Sequence, residues 1–153
     1  MEPHFQKLIQ FSPMRIDHLH EVVAFENDLH EFPWTIGNFR DSLNAGYSGW
    51  LCCVAEELAG YGMIMMVLDE AHLLNISIGR HWQRQGLGSE LLQFLIDLSK
   101  ERNCIRMLLE VRDSNQAAQR LYKRFGFSVV GMRKNYYPAH QGREDALIYE
   151  RVL

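Results

Sequence analysis

The sequence predicts an α/β chain built on a mixed sheet, and three observations carry that reading. Leu73-Leu74-Asn75-Ile76-Ser77-Ile78 alternates apolar and polar residues at the period of a strand. Leu87, Leu91, Leu95 and Leu98 then recur at helical spacing. Beyond them Ile105-Arg106-Met107-Leu108-Leu109-Glu110-Val111 reads as a short apolar strand, which the helix reaches by crossing over.

The other elements follow from the same periodicities. Residues 4–11 alternate weakly and predict a first strand; Ser12-Pro13 breaks the chain. Ile16, Leu19, Val22, Val23 and Phe25 then fall at helical spacing. Pro33 makes 31–34 a loop, and its two large aromatics, Phe32 and Trp34, either fold back into the core or stay at the surface. A short helix over 35–45 ends at Gly46. Apolar runs over 50–55 and 61–68 flank Glu56-Glu57-Leu58-Ala59-Gly60 and predict a hairpin, with a third strand over 72–79. After the helix over 87–102 and the strand over 105–111, Asp113 and Gln116 fit a capping box. Ala117, Ala118, Leu121, Tyr122 and Phe125 form the stripe of the next helix, which Gly126 stops. Two strands close the chain over 127–134 and 144–152, with Asn135-Tyr136-Tyr137-Pro138 opening their connection. No linker, repeat or low-complexity segment interrupts the chain, so 1–153 is expected to be a single domain.

Bulk properties narrow the function. The chain is 47% hydrophobic and 23% charged, ordinary for a globular protein with a real core. A net charge of −3 gives no basic footprint for nucleic acid. No apolar run approaches the roughly 20 residues of a membrane span, and Met1-Glu2-Pro3-His4 lacks a signal-peptide pattern. Cys52, Cys53 and Cys104 are odd in number and two are adjacent, which suits neither a disulfide framework nor a metal set. The seven histidines show no ligand spacing, so no metal is expected, and a reducing cytoplasm is the simplest setting.

Chemistry concentrates at Gln83-Arg84-Gln85-Gly86-Leu87-Gly88, where a strand turns into a helix. The first N–H groups of a helix lack internal partners, and the helix dipole adds positive potential there. Glycine lets that backbone approach a ligand closely. The stretch is either a tight turn or a phosphate cradle, and the cationic Arg84 favours the second. It is not a P-loop, because Ser89-Glu90 stands where Lys-Ser or Lys-Thr is needed. It is not a dinucleotide fingerprint either, because Leu91 takes the place of the third glycine.

Two further side chains have open readings. Glu110 is a charge at a strand edge facing water, or a carboxylate at the carboxyl end of an interior strand, where open α/β sheets hold their ligands. Its apolar neighbours Leu109 and Val111 favour the interior strand. Tyr122 lies on an inward stripe, either as a core residue with its hydroxyl tied off or as a catalytic group.

The glycine stretch resembles the Gln/Arg-x-x-Gly-x-Gly/Ala signature of the GNAT N-acetyltransferases. The order of elements resembles that family across the whole chain, which implies its acyl-CoA N-acyltransferase fold, one α/β domain of three layers. Seven blocks in order resemble its ribosomal-protein-alanine branch. They are Phe32-Pro33-Trp34, Leu68-Asp69-Glu70-Ala71, residues 83–88, Leu109-Glu110-Val111-Arg112, Ser114-Asn115, Leu121-Tyr122 with Phe125-Gly126-Phe127, and Asn135-Tyr136-Tyr137-Pro138. The chain departs from the pattern at Gly79-Arg80-His81, where an acidic, proline-containing turn is commoner; Trp82 keeps the aromatic.

The resemblance implies roles. Ile76, Ser77 and Ile78 match the strand whose backbone pairs with the pantetheine arm of acetyl-CoA and holds the thioester carbonyl. Arg84, Gln85, Gly86, Leu87, Gly88 and Ser89 match the pyrophosphate loop, and Asn115 matches an asparagine that contacts coenzyme A. Glu110 matches the general base and Tyr122 the general acid. Phe32, Pro33 and Trp34, with Tyr136 and Tyr137, match loops that wall the groove for the substrate's amino terminus. The implied activity moves acetyl from acetyl-CoA to the N-terminal alanine of a small-subunit ribosomal protein. Acetylation of a lysine or a small amine stays open, as does a non-catalytic acyl-CoA-binding module, which would be expected to lack Glu110 or Tyr122. Asp28 and Glu31, beside the aromatic loop, are expected to favour a basic residue after the substrate's first position.

Overall fold

The computed structural model describes residues 8–153, so the start of the strand expected over 4–11 lies outside the described residues. The first described strand, β1, spans Ile9–Pro13. A 3-10 turn leads into helix α1 (Leu19–Leu29), and α2 (Ile36–Asn44) follows the aromatic loop. Then come β2 (Ser48–Val54), β3 (Glu57–Val67) and β4 (Glu70–Ile78), helix α3 (Leu87–Glu101), β5 (Arg106–Arg112), helix α4 (Gln116–Arg124), β6 (Ser128–Pro138) and β7 (Arg143–Val152). The strands form one sheet in the order β1-β2-β3-β4-β5-β7-β6. Among the described residues only β4 and β5 pair in parallel, because α3 carries the chain across between them.

Hydrophobic periodicity assigns the layers. Leu19, Val22 and Phe39 of α1 and α2 pack with Leu51, Tyr61 and Met63 on one face of the sheet. Leu87, Leu91, Leu92, Leu95 and Ile96 of α3, with Tyr122 of α4, bury the other face against Ile64, Leu73, Met107 and Leu109. Two helical layers enclose a mixed sheet, as expected.

Local chemistry fixes the ends. Thr35 caps α2: its hydroxyl accepts from the Asn38 N–H at 3.0 Å, and Asn38 Oδ1 accepts from the Thr35 N–H at 2.9 Å. The expected capping box at Asp113 does not form. The Asp113 N–H is taken by the Asp145 carbonyl at 3.1 Å, so the strand ladder runs past it. Asn115 caps α4 instead, accepting from the Ala118 N–H at 3.2 Å. The connection expected at Asn135-Tyr136-Tyr137-Pro138 is strand: β6 continues to Pro138 through a bulge, with Asn135 at φ 53. The Asp145 carboxylate accepts from the Asn135 N–H, and the Arg143 guanidinium donates to the Asn135 and Tyr136 carbonyls, each at 2.8 Å.

The β2–β3 hairpin turns on Ala55 and Glu56, both at positive φ, not on Gly60. Gly60 is needed inside β3. A Cβ there would lie 2.6 Å from the Ser77 carbonyl oxygen and 2.6 Å from Ile78 Cδ1. Gly60→Ala is expected to lower stability by about 1–3 kcal/mol, the usual range for overpacking. Chemical denaturation measures it, and a midpoint equal to wild type would show that the strands shift freely.

Candidate active site

The site begins where two strands part. The pairing of β4 with β5 runs from Glu70↔Arg106 to Leu73↔Leu109 and stops. At that point Leu74 bulges out of the β3–β4 ladder, bending β4 away. The facing edges of 75–78 and 110–112 therefore carry no ladder bonds to each other. Between them opens a cleft of about 1000 Å³, with Asn75, Ile76 and Ile78 on one wall and Glu110, Val111 and Arg112 on the other. Gly88, Asn115 and Tyr122 also line it.

The glycine stretch lies beside the β4 wall. Gln83 Nε2 donates to the Ile78 carbonyl at 3.0 Å and moors the loop there. Arg84 and Gly86 adopt positive φ, 62° and 84°, turning the chain into α3. The first helical bond is from the Glu90 N–H to the Gly86 carbonyl, at 3.1 Å. Among the described residues, the N–H groups of 86–89 have no acceptor, and no side chain caps the helix. A run of free amides at the head of a 15-residue helix fits a pyrophosphate. At Gly88 a Cβ would meet nothing closer than 3.8 Å, so packing does not demand glycine there. Its absence keeps the cleft wall bare.

Residues 15–127 match the model of the acetyltransferase (GNAT) family. The chain belongs to this family. It is accordingly an acetyl-CoA-dependent N-acetyltransferase. It is 42% identical over 123 residues to the [ribosomal protein bS18]-alanine N-acetyltransferase of Escherichia coli (strain K12), covering 80% of this chain and 83% of that one. A Bacillus subtilis (strain 168) protein described as a putative [ribosomal protein bS18]-alanine N-acetyltransferase is 39% identical over 137 residues, 88% of this chain and 89% of that one. The crystal structure of the ribosomal-protein-S18-alanine N-acetyltransferase from Escherichia coli superposes with a TM-score of 0.89 at 37% identity, covering 94% and 93% of the two chains.

The acetyltransferase brings its two candidate acid–base groups to one cleft. Glu110 sits on β5 between β7, where it pairs with Ile148, and the open side. Its Oε2 is enclosed and makes no hydrogen bond, although Arg133 Nε lies 3.3 Å away. Tyr122 is 6% exposed, its ring packed on Phe127 and Tyr149. Among the described residues its hydroxyl has no hydrogen-bond partner, so the hydroxyl of this buried tyrosine is not tied off. Burial, and then nearby Tyr137, push its pKa well above the ordinary tyrosine value. Tyr137 is pushed up to about 12, by burial first and Glu110 second. Tyr137 thus stands near enough to Glu110 to feel its charge, and near enough to Tyr122 to act on it.

The aromatic residues divide. Phe32, Trp34 and Tyr137 line the cleft. Trp34 turns inward onto Phe39, with ring centroids 5.0 Å apart, while Phe32 stays exposed. Tyr136 is not among the lining residues; it packs on Arg133 and, edge to face, on Tyr137. The clamp that unites these loops is Arg112, a residue the sequence reading gave no role. Its guanidinium carbon lies 5.3 Å from the Phe32 ring centre and 4.5 Å from that of Tyr137. It also donates to the Pro138 carbonyl at 2.8 Å and to Glu144 at 2.9 Å. Asp28 and Glu31 each have a partner already, Arg80 and His140 respectively, and the second pair ties the aromatic loop to the β6–β7 turn.

The Arg112 hydrogen bond, with that from Ser114, holds the Glu144 carboxyl below its ordinary range. Its stabilising contribution is present above the unfolded carboxylate value and is lost as pH falls through the lowered folded value. In Glu144→Gln, the acid limb of a thermal-stability profile against pH should be shallower than in wild type. Superposable profiles would remove the effect.

A second feature escaped the sequence reading. Glu26 of α1 is only 2% exposed, although it is a carboxylate. Oε1 accepts from Tyr61 Oη at 2.6 Å and from Asn75 Nδ2 at 3.2 Å, and Oε2 accepts from the Trp34 N–H at 3.0 Å. Burial is satisfied by three donors. The signal was present, since Leu19, Val22 and Glu26 follow one another at helical spacing on the buried stripe.

Proposed function

We propose that the enzyme acetylates the N-terminal alanine of a small-subunit ribosomal protein in the cytoplasm, with Glu110 as general base and Tyr122 as general acid. The observation that carries the reading is the likeness to the bS18-alanine enzymes, at 42% identity over four-fifths of the chain. The aromatic loops over the cleft support a slim peptide end as acceptor.

On this reading the loop of residues 84–89 holds the pyrophosphate, Asn115 contacts coenzyme A, and the open edge of Ile76, Ser77 and Ile78 pairs with the pantetheine arm. Acetyl-CoA supplies the acetyl group and, in its sulfur, the leaving group. Phe32 and Tyr137 wall the path of the peptide, and Pro33, Trp34 and Tyr136 shape those walls. Glu110 takes the proton that the amine must lose, directly or through a water. An α-amine has a pKa of roughly 7.7–8.0, so roughly one in ten is neutral at pH 7, whereas a lysine at about 10.4 is harder to deprotonate. The N–H groups of the β4 edge stabilise negative charge on the carbonyl oxygen. Tyr122 offers its proton to the departing sulfur.

The test uses a peptide that begins with alanine and carries an internal lysine, with its terminus free or blocked. Mass spectrometry locates the acetyl group. Label on the free terminus alone supports the reading; label on lysine overturns it.

A further inference from the structure

The Glu26 network ends at His30, a residue with no part in the chemistry above. His30 closes α1, lines the cleft and has a side chain 41% exposed. Its Nε2 lies 2.9 Å from Ser77 Oγ and 3.6 Å from Glu26 Oε1. Serine, histidine and glutamate together suggest a nucleophilic triad, but the geometry refuses it. A triad needs the acid and the serine on opposite ring nitrogens. Here both contacts fall on the same nitrogen, and Ser77 is buried.

The network instead settles where the imidazole proton sits. A carboxylate only accepts, so Asn75 presents Nδ2 to Glu26 and its carbonyl oxygen to the other side. That oxygen receives the single Ser77 hydroxyl proton at 2.8 Å. Tyr61, which also lies near Ser77, has given its own proton to Glu26, so a Ser77 proton turned that way would still point inward. Ser77 Oγ therefore meets His30 as an acceptor, and Nε2 must carry the hydrogen. In the neutral ring the other nitrogen, Nδ1, is then bare.

We propose that His30 is a substrate-binding residue whose Nδ1, kept bare by the Glu26–Asn75–Ser77 relay, accepts a hydrogen bond from the amino group of the incoming peptide. This rests on the N-terminal reading given above. The amine is held by His30 on the α1 side of the cleft and gives its proton to Glu110 on the β5 side. One acceptor positions the amine and the other deprotonates it, so its lone pair is left for the acetyl carbon.

Two measurements on the full-length enzyme test the proposal. Nitrogen-15 NMR of the histidine rings without substrate reads the tautomer, with His30→Gln assigning the signal. A protonated Nε2 with a bare Nδ1 is expected, and the reverse tautomer overturns the relay. Glutamine carries a carbonyl acceptor of its own, so binding is read in His30→Phe, which keeps a ring of similar bulk and removes the bare nitrogen. His30→Phe should raise the peptide KM roughly tenfold, as expected for one hydrogen bond to a charged group, and leave the acetyl-CoA KM unchanged. An unchanged peptide KM, in a variant that melts like wild type, overturns the binding role. Failure of the wild-type enzyme to acetylate the peptide terminus would instead fall on the N-terminal reading, and the tautomer would still decide the relay.

Discussion

Glu110→Gln is expected to lower kcat/KM for the alanine peptide by about 10²–10³-fold, within the span of general-base catalysis. The substitution is nearly isosteric and keeps the strand, its pairing with Ile148 and the packing beside Arg133. It removes the capacity to take a proton, and with it the charge that pairs with Arg133. The acetyl-CoA KM should not move, because the free amides that fit the pyrophosphate stand on a different element, at the head of α3. The enclosed carboxylate oxygen is ion-paired with Arg133 but accepts no hydrogen bond, which leaves it able to accept one. A substrate amine or a water in the cleft would supply that bond. Steady-state kinetics at saturating acetyl-CoA make the measurement, and a variant as fast as wild type would take the base role away from Glu110.

Tyr122→Phe is expected to lower kcat by about tenfold to a hundredfold with little change in either KM. The ring contacts with Phe127 and Tyr149, at 5.7 and 6.1 Å, survive in phenylalanine, so the loss isolates the hydroxyl. Burial raises the pKa of Tyr122, which keeps the hydroxyl protonated at every working pH. The same shift makes it a weak acid. Even at ordinary values, about 10 for tyrosine and 8.5 for a thiol, transfer to a free thiolate is uphill by about 2 kcal/mol, and burial adds to that. On the proposed reading, Tyr122 would therefore act while the bond to sulfur breaks, by a hydrogen bond that strengthens as charge appears. A kcat that does not change would end this role.

Much of this was legible in the sequence. The glycine stretch announced a helix head with bare amides, and apolar neighbours on both sides of Glu110 marked an interior strand. Other features were hidden because their causes are tertiary. Gly60 read as a turn, since a strand glycine demanded by close approach of a neighbouring strand looks the same in one dimension. Asp113 fitted a capping box that the β5–β7 ladder pre-empted. The bulge that extends β6 depends on Arg143 and Asp145, side chains from the opposite strand. Glu26 was readable in principle. A charge on the buried stripe of a helix announces donors nearby, but it does not say that they come from Trp34, Tyr61 and Asn75.

The parted strands carry one more consequence. An unpaired strand edge is a template for any passing β-structure, and proteins normally hide such edges at the rims of their sheets. Here the open edges lie in the middle of the sheet, at the bottom of a cleft bridged by Arg112 with Phe32 and Tyr137, and by Glu31 with His140. Set inside the sheet and under that cover, they are shielded from the edge-to-edge pairing that a rim strand invites. The backbone hydrogen-bonding capacity of an edge strand is thereby kept inside the molecule, at the site rather than at the rim.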